Sequence, residues 1–235
     1  MVGHVALVTC QRARGLDTDE PLLLAALDAA DVDVEVLDWD RPADWSVYDL
    51  AVIRSTWDYA GRHEEFFAWA ATTAKATRLH NPVAMLTWNT DKGYLTQLAQ
   101  SGLPVIDTTF FAPGTNWQVT ELTGPIVVKP SVSAGGQDAA RYGVGELNGA
   151  REHVETVAAR VPSPAERALG DATMEWLSGS SMSSPLYARI DLLPDAKGLP
   201  RILEVELTEP SLFLETDDRA ADRMAGSIRG LLDRK

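Results

Sequence analysis

Four charged side chains alternate with apolar residues in two short segments near the end of the chain. Arg189 and Asp191 lie in the first segment, and Glu204 and Glu206 lie in the second. The sequence Pro-Asp-Ala-Lys-Gly at 194–198 favours a turn between them, so the pattern predicts an antiparallel hairpin. With the turn centred on its last two residues, the aspartate faces the first glutamate and the arginine faces the second. All four side chains then share one face.

The opposite face of this hairpin is predicted to be a core face of five apolar residues: Ile190, Leu192, Leu203, Val205 and Leu207. The three carboxylates on the charged face repel one another. Either solvent screens them on a fully exposed face, or a divalent cation such as Mg²⁺ binds their oxygens. The second alternative makes Asp191, Glu204 and Glu206 candidate metal ligands.

A lysine followed by a loop rich in serine and glycine marks the middle of the chain. Lys129 is predicted on a strand at 125–130, and the loop at 131–136 is Ser-Val-Ser-Ala-Gly-Gly. A lysine offers a point charge to a phosphate, and such a loop offers backbone N–H groups with close approach at its glycines. The loop is either a phosphate site or only a turn. A second lysine, Lys92, is predicted inside a helix over 83–101.

The first third of the chain alternates predicted strands and helices. Residues 4–9, 32–37 and 50–54 have the apolar content of strands, and apolar residues at helical spacing lie between the first two. This order predicts a parallel α/β sheet. Since ligands bind beyond the carboxyl ends of such strands, residues 10–12 and 55–59 are candidate binding segments.

The sequence lacks the motifs of several common cofactor, nucleophile and metal sites. The sequence lacks the G-x-G-x-x-G turn of a dinucleotide site, a P-loop, a G-x-S-x-G elbow and histidines at metal-ligand spacing. Cys10 is either a nucleophile or, as its position at a strand end favours, a small buried residue. Asp58 is either a substrate contact or a helix N-cap.

The amino-acid composition indicates which binding partners and which cellular compartment to expect. The chain has 235 residues, 45% hydrophobic, with a formal charge of −13. This acidity disfavours nucleic acids and anionic membrane surfaces, and no apolar run approaches the ~18 residues that span a bilayer. The first residues are typical of a strand rather than a secretory signal. With one cysteine there is no internal disulfide, so we expect a reducing, cytoplasmic location.

Together these motifs resemble the ATP-grasp superfamily, which includes D-alanine–D-alanine ligase and glutathione synthetase. Three stretches carry the resemblance: 127–130 with its loop, 188–191 and 203–206. Glu206 stands where the family usually has asparagine. Three further stretches are similar to an actinobacterial subgroup that includes the O-ureidoserine cyclo-ligase of cycloserine biosynthesis: 54–59, 88–95 and 209–213.

The resemblance implies an α/β fold of α+β lobes, with ATP bound between two of them. The implied divisions are an N-terminal parallel α/β domain at 1–80, a small central ATP-binding lobe at 81–160 and a C-terminal antiparallel-sheet lobe at 161–235. The implied nucleotide contacts are Lys92, Lys129, Ser131, Ser133, Gly135 and Gly136. Two Mg²⁺ ions are implied on the three hairpin acids. Arg189, Ser133 and Gly135 are implied in catalysis, and Asp58, Ser211 and Thr56 in substrate contact.

The implied activity is that of a ligase that uses ATP and Mg²⁺ to activate a small amino-acid-like carboxylate as an acyl phosphate. An amine or an intramolecular nucleophile then attacks. Two other interpretations stay open: an ATP-grasp protein that binds small molecules without turnover, and a plain α/β interaction domain. We expect no nucleic-acid or membrane partner, and a homodimer through the N-terminal lobe is plausible.

The central lobe departs from the family pattern. Only 53 positions separate Gly136 from Arg189, roughly half of what the resemblance leads us to expect. We therefore predict that a block is missing near residues 157–165. An intact-mass measurement distinguishes a shortened protein from a sequence with an omitted segment.

Overall fold

The computed structural model describes most of the chain, in five ranges: 3–115, 126–133, 139–142, 157–180 and 182–234. Gly135 and Gly136, two of the predicted nucleotide contacts, lie outside these residues, and their roles stay predictions. Within the described ranges, no helix has the length and apolar character that crossing a bilayer requires.

A parallel sheet forms the N-terminal part of the chain, as the sequence predicts. Its elements are β1 (His4–Thr9), α1 (Asp19–Ala29), β2 (Asp33–Asp38), β3 (Leu50–Ser55), α2 (His63–Ala76) and β4 (Arg78–His80). The strand order is β2-β1-β3-β4, and each neighbouring pair is parallel. β1 and β3 are buried over nearly their whole length, which explains why their sequences are continuous apolar runs.

The predicted helix over 83–101 is instead two helices: α3 (Val83–Asn89) and α4 (Tyr94–Gln100). Lys92 therefore lies in their connection, not inside a helix. The Asp91 carboxylate accepts a hydrogen bond from the Gly93 N–H at 2.9 Å, and the Lys92 N–H donates to the Ser131 carbonyl at 2.8 Å. These bonds replace those of a continuous helix.

Two antiparallel pairs of strands follow along the chain. The first pair is β5 (Ile126–Val128) with β6 (Ala140–Tyr142), and α5 (Pro164–Gly179) leads to the second pair, β7 (Arg189–Pro194) with β8 (Pro200–Glu206). β5 ends just before Lys129, which the sequence placed on the strand. The predicted C-terminal hairpin is confirmed, because Arg189 pairs with Glu206 and Asp191 pairs with Glu204.

A β-bulge after Asp191 corrects one part of the predicted core face. Beyond the bulge, the partner of Leu192 is Ile202. Ile202 is fully buried, whereas Leu203 is only half-buried. The extra residue on β8 changes which side chains face inward, so Ile202 takes the core position predicted for Leu203.

The last helix of the chain, α6 (Ala220–Leu232), returns to the N-terminal sheet. Ile228 and Leu232 of α6 lie in one buried cluster with Leu23 and Leu27 of α1 and with Val5 of β1. The C-terminal end of the chain and the first strands therefore share a hydrophobic core. This packing fixes the position of the segment that joins β8 to α6.

Side chains from outside the hairpin form hydrogen bonds with the backbone N–H and C=O groups at the carboxyl end of β8. The Tyr94 hydroxyl accepts a hydrogen bond from the Val205 N–H at 2.8 Å and donates to the Val205 carbonyl at 2.9 Å. The Asn89 amide accepts from the Leu207 N–H at 2.7 Å, and the Asn81 amide donates to the Leu207 carbonyl at 2.6 Å. These bonds hold the strand at the residues next to the two predicted metal-ligand glutamates.

We predict that Tyr94→Phe lowers the free energy of unfolding by about 1–3 kcal/mol, because it leaves the buried Val205 N–H without its partner. The matched control is Thr87→Ala, which removes an exposed hydroxyl that binds within its own helix. The control should change stability by less than about 0.5 kcal/mol. Urea unfolding followed by tryptophan fluorescence measures both variants. Equal effects would contradict the role given to Tyr94.

Candidate functional site

Glu204 bridges the two lysines that the sequence analysis assigned to the nucleotide. Its Oε1 lies 3.1 Å from the Lys92 Nζ, and its Oε2 lies 3.0 Å from the Lys129 Nζ. Burial acts to raise the pKa of Glu204, but the two ammonium groups outweigh it and hold that pKa below its usual value. The structure therefore brings the acidic face of the hairpin against the predicted phosphate-binding segment.

Lys92 also holds the described start of the Ser/Gly loop. Its ammonium group donates to the Ser133 carbonyl at 3.1 Å and to the Ser133 hydroxyl at 3.2 Å. Its own N–H binds the Ser131 carbonyl. Lys92 is buried, whereas Ser131 is exposed. Two of the predicted nucleotide contacts in the loop, Ser131 and Ser133, therefore lie beside a predicted lysine contact.

Arg189 holds the other two acids of the hairpin face. Its Nε and Nη2 lie 2.9 Å and 3.0 Å from the two carboxylate oxygens of Asp191, a bidentate pair. Nη2 also contacts the Glu206 carboxylate. On its other side, Nη1 donates to the Ser211 carbonyl at 3.1 Å, and the guanidinium carbon lies 5.5 Å from the centre of the Phe213 ring. The predicted catalytic arginine thus has partners on two sides.

Two carboxyl groups at the end of the hairpin bind protons unusually tightly. Burial raises the pKa of Glu206 to about 7, Arg189 opposes the rise, and Asp191 adds to it. Burial, followed by the charge of Glu206, raises the pKa of Glu209 to about 8. Perturbed carboxyl groups of this kind are typical of functional sites.

Glu209 is a further candidate site residue, one that the sequence patterns did not single out. It is half-buried, and among the described residues no other group forms a hydrogen bond or ion pair with its carboxyl group. Glu209 and Glu206 act after burial to raise the pKa of the Tyr59 hydroxyl, which places the segment after β3 near these acids. The signal available in the sequence was an acid three residues beyond Glu206.

The substrate candidates after β3 have different surroundings. Thr56 is fully buried, and within the described part of the chain its hydroxyl has no hydrogen-bond partner. The Asp58 carboxylate accepts a 2.9 Å bond from the Trp39 indole and lies 3.5 Å from the Arg62 guanidinium. Asp58 occupies the N-cap position of the short helical turn at Tyr59–Arg62, but its side chain makes no capping bond there. Thr56 is the better candidate because its hydroxyl is unpartnered.

Two further candidates have clear outcomes. Ser211 reaches the site through its carbonyl group, which accepts the bond from Arg189. Cys10 is fully buried, and burial raises the pKa of its thiol. A buried thiol with a raised pKa is a poor nucleophile, so the buried interpretation of Cys10 is confirmed.

The three predicted metal ligands form ion pairs with lysine and arginine side chains of the chain itself. The described residues contain no cluster of three or more acidic, histidine or cysteine side chains arranged to hold a metal ion. The site contains four acids and three cations: Asp191, Glu204, Glu206 and Glu209 with Lys92, Lys129 and Arg189. Its donors are carboxylate oxygens in excess over the cations, and this donor chemistry suits Mg²⁺.

The N-terminal part of the chain matches a known domain family. Residues 5–81 match the family described as the N-terminal domain of D-cycloserine synthetase DcsG. The chain is 29% identical to the cycloserine biosynthesis protein DcsG of Streptomyces lavendulae, in an alignment that covers 97% of this chain and 98% of that protein. The crystal structure of D-cycloserine synthetase DcsG is similar to this one with a TM-score of 0.86 and 29% identity, over 98% of this chain and 100% of that chain.

More distant structures share the fold. D-alanine–D-alanine ligase from Bacillus anthracis is similar with a TM-score of 0.64 at 13% identity, over 98% of this chain and 97% of that chain. The ATP-grasp ligase PsnB, complexed with a minimal precursor, is similar with a TM-score of 0.56 at 15% identity, over 97% of each chain. These similarities support the fold alone.

The alignment with the Streptomyces protein also reveals a difference in length. It runs over 293 positions, and the present chain has 235 residues, so at least 58 positions have no residue in this chain. This deficit has the size that the sequence analysis expected for the central lobe. Its location near residues 157–165 stays a prediction.

We predict that the metal-free protein loses stability as the pH rises from about 5 to about 8. The folded-state pKa of Glu209 is about 8, against an ordinary value of 4.5. The folded state therefore binds more protons than the unfolded state between these values, and the resulting stability is lost as the pH rises through the folded-state pKa. Glu206 acts in the same direction. Thermal unfolding across this pH range measures the loss.

The variant Glu209→Gln removes one of these titrations, so its melting temperature should fall less steeply with pH. The matched control is Glu175→Gln, because Glu175 is exposed on α5 and should keep the wild-type slope. A Glu209→Gln slope equal to that of the wild type would contradict the assignment.

Proposed function

We propose that this chain is an ATP-grasp ligase that uses ATP and Mg²⁺ to activate a small amino-acid-like carboxylate as an acyl phosphate, and its similarity to D-cycloserine synthetase supports this. The similarity to a cycloserine biosynthesis protein over nearly the whole chain supports a cyclo-ligase in biosynthesis of the cycloserine type. The nucleophile that follows is an amine or a group of the substrate itself.

The observation that carries this proposal is the contact of Glu204 with both lysines. A candidate metal ligand and two candidate phosphate contacts meet there from three separate elements. Phosphoryl transfer depends mainly on positioning and on neutralising charge. The arrangement around Glu204 can do both, because its lysines can neutralise phosphate charge and its carboxylate can position a metal ion beside them.

We assign the nucleotide phosphates to the two lysines and to the loop. The proposed contacts are Lys92, Lys129, Ser131, Ser133, Gly135 and Gly136. Lys92 is buried and already held by Ser133 and Glu204, so it offers a fixed charge. Lys129 is more exposed and offers a charge that can follow the phosphates.

We assign up to two Mg²⁺ ions to Asp191, Glu204 and Glu206. When bound, Mg²⁺ supplies positive charge that reduces the repulsion between phosphate oxygens and an incoming carboxylate. The raised pKa of Glu206 supports this assignment, because a buried carboxyl group among other acids is stabilised by an added cation.

In the proposed reaction, a substrate carboxylate oxygen bonds to the γ-phosphorus of ATP as the bond to the β–γ bridging oxygen breaks and ADP leaves. The nucleophile then bonds to the acyl carbon, and inorganic phosphate leaves. Arg189 stabilises the negative charge on the acyl phosphate. Its bond to the Ser211 carbonyl and its contact with the Phe213 ring keep its planar group in one orientation.

We assign the substrate's ammonium group to Glu209. Glu209 is half-buried, and it is the acid in excess over the three cations of the site. An ammonium group would supply the missing positive charge and lower the pKa of Glu209. The unpartnered Thr56 hydroxyl and Ser211 are the proposed neighbours of the substrate, and Asp58 keeps Trp39 and Arg62 in place behind them.

A second candidate function is a related protein that binds the same ligands without turnover. The deficit of at least 58 positions relative to the Streptomyces protein favours it, because the predicted missing block falls in the central lobe that would bind ATP. ATP with Mg²⁺ would then raise the melting temperature by mass action without release of phosphate.

Phosphate release from ATP with O-ureidoserine and with free amino acids tests the proposal. We predict release with at least one substrate, and a loss of about 10²-fold or more in kcat/KM for Glu204→Gln, the range for removing one preorganised electrostatic group. Glu175→Gln is the matched control and should keep wild-type activity. Undiminished turnover in Glu204→Gln would contradict the metal assignment. Ligand-dependent stabilisation without turnover would favour the second candidate.

A further inference from the structure

Asp19, the first residue of α1, binds a distant part of the chain through both carboxylate oxygens. Its Oδ2 accepts a hydrogen bond from the Leu212 N–H, and its Oδ1 accepts one from the Leu214 N–H, each at 2.6 Å. Bonds to a charged acceptor are stronger than bonds between neutral groups. The anchored segment, residues 210–214, begins directly after Glu209.

Arg54 of β3 completes this attachment. Its Nη2 lies 3.2 Å from the Asp19 Oδ2 and 3.4 Å from the Pro210 carbonyl oxygen. The side chains of Arg54 and Asp19 are only 5% and 1% exposed. Loss of either partner would leave the other charge buried and uncompensated. The pair therefore fixes the segment at Pro210, Leu212 and Leu214.

The residues between these fixed points bind Arg189. The Ser211 carbonyl accepts the bond from Arg189 Nη1, and the Phe213 ring lies against the guanidinium. Alternate residues of this segment therefore have different partners: residues 210, 212 and 214 bind the buried ion pair, and residues 211 and 213 contact Arg189. A shift of this segment would move both contacts of Arg189 at once.

We propose that Asp19 and Arg54 are positioning residues for the ligase reaction: by fixing residues 210–214, their buried ion pair orients Arg189 towards the acyl phosphate. This inference rests on the function proposed above for Arg189. It gives the N-terminal domain a role in phosphoryl transfer through a residue that lies in the C-terminal part of the chain.

A double-mutant cycle with Asp19→Asn and Arg189→Lys tests the inference by steady-state phosphate release. We predict that Asp19→Asn alone lowers kcat by about tenfold or more, with a change of less than about threefold in the KM for ATP. In the Arg189→Lys background the same substitution should cost less than about threefold, because residues that act through one contact are not additive. A full loss in both backgrounds would overturn the inference.

Asp38→Asn is the matched control, since Asp38 is a buried acid of the same domain paired with Arg14 at 2.9 Å. It should keep the wild-type kcat. Arg54→Lys retains the buried charge and serves as the second variant, with the same expected split between kcat and KM.

If neither variant folds at the assay temperature, the pair is structural and the inference is wrong. A wild-type protein that releases no phosphate refutes the proposed function itself, whereas activity that is lost in Arg189→Lys but not in Asp19→Asn refutes only this inference.

Discussion

The ion pairs of Glu204 with Lys92 and Lys129 are the interaction on which the arrangement of the site depends. Lys129 follows a strand of only three residues in a two-stranded sheet, and such a pair is marginal without further packing. Its ammonium group nevertheless contacts a carboxylate 75 residues away. Because burial disfavours each of these charges alone, the three side chains stabilise one another and hold three elements together.

The hairpin can present its acids because its strand is fixed from outside the sheet. Tyr94 binds the backbone of β8 at Val205, and Asn89 binds the next backbone N–H beyond the strand, at Leu207, in the place where a third strand would lie. These two residues and Lys92 belong to one stretch of the sequence around the α3–α4 connection. The same stretch therefore sets the register of the acids and supplies the cation that faces them.

The sequence predicts elements whose pattern is local. The fold class, the parallel sheet and the pairing of Asp191 with Glu204 are confirmed, because alternation and turn residues define them within a few positions. The bulge that exchanges Leu203 for Ile202 was missed, since both residues are apolar and the pattern is equally good in either register. The helix over 83–101 was wrong because the bond from Lys92 to Ser131 is long-range. The contacts of Asp19 with Leu212 and Leu214 join the two ends of the chain, and no local pattern reveals them.

The charges of the site also explain why its acids and lysines contact each other in the protein alone. Three cations neutralise three of the four acids, and Glu209 lowers its charge by holding a proton, as its raised pKa indicates. In the proposed reaction, nucleotide phosphates would compete with Glu204 for the same two lysines, so their binding would free carboxylate oxygens for a divalent cation. A substrate ammonium group in turn favours the ionised form of Glu209. Each ligand of the proposed reaction therefore replaces a charge partner that the chain supplies, and the exchange keeps the half-buried site close to neutral.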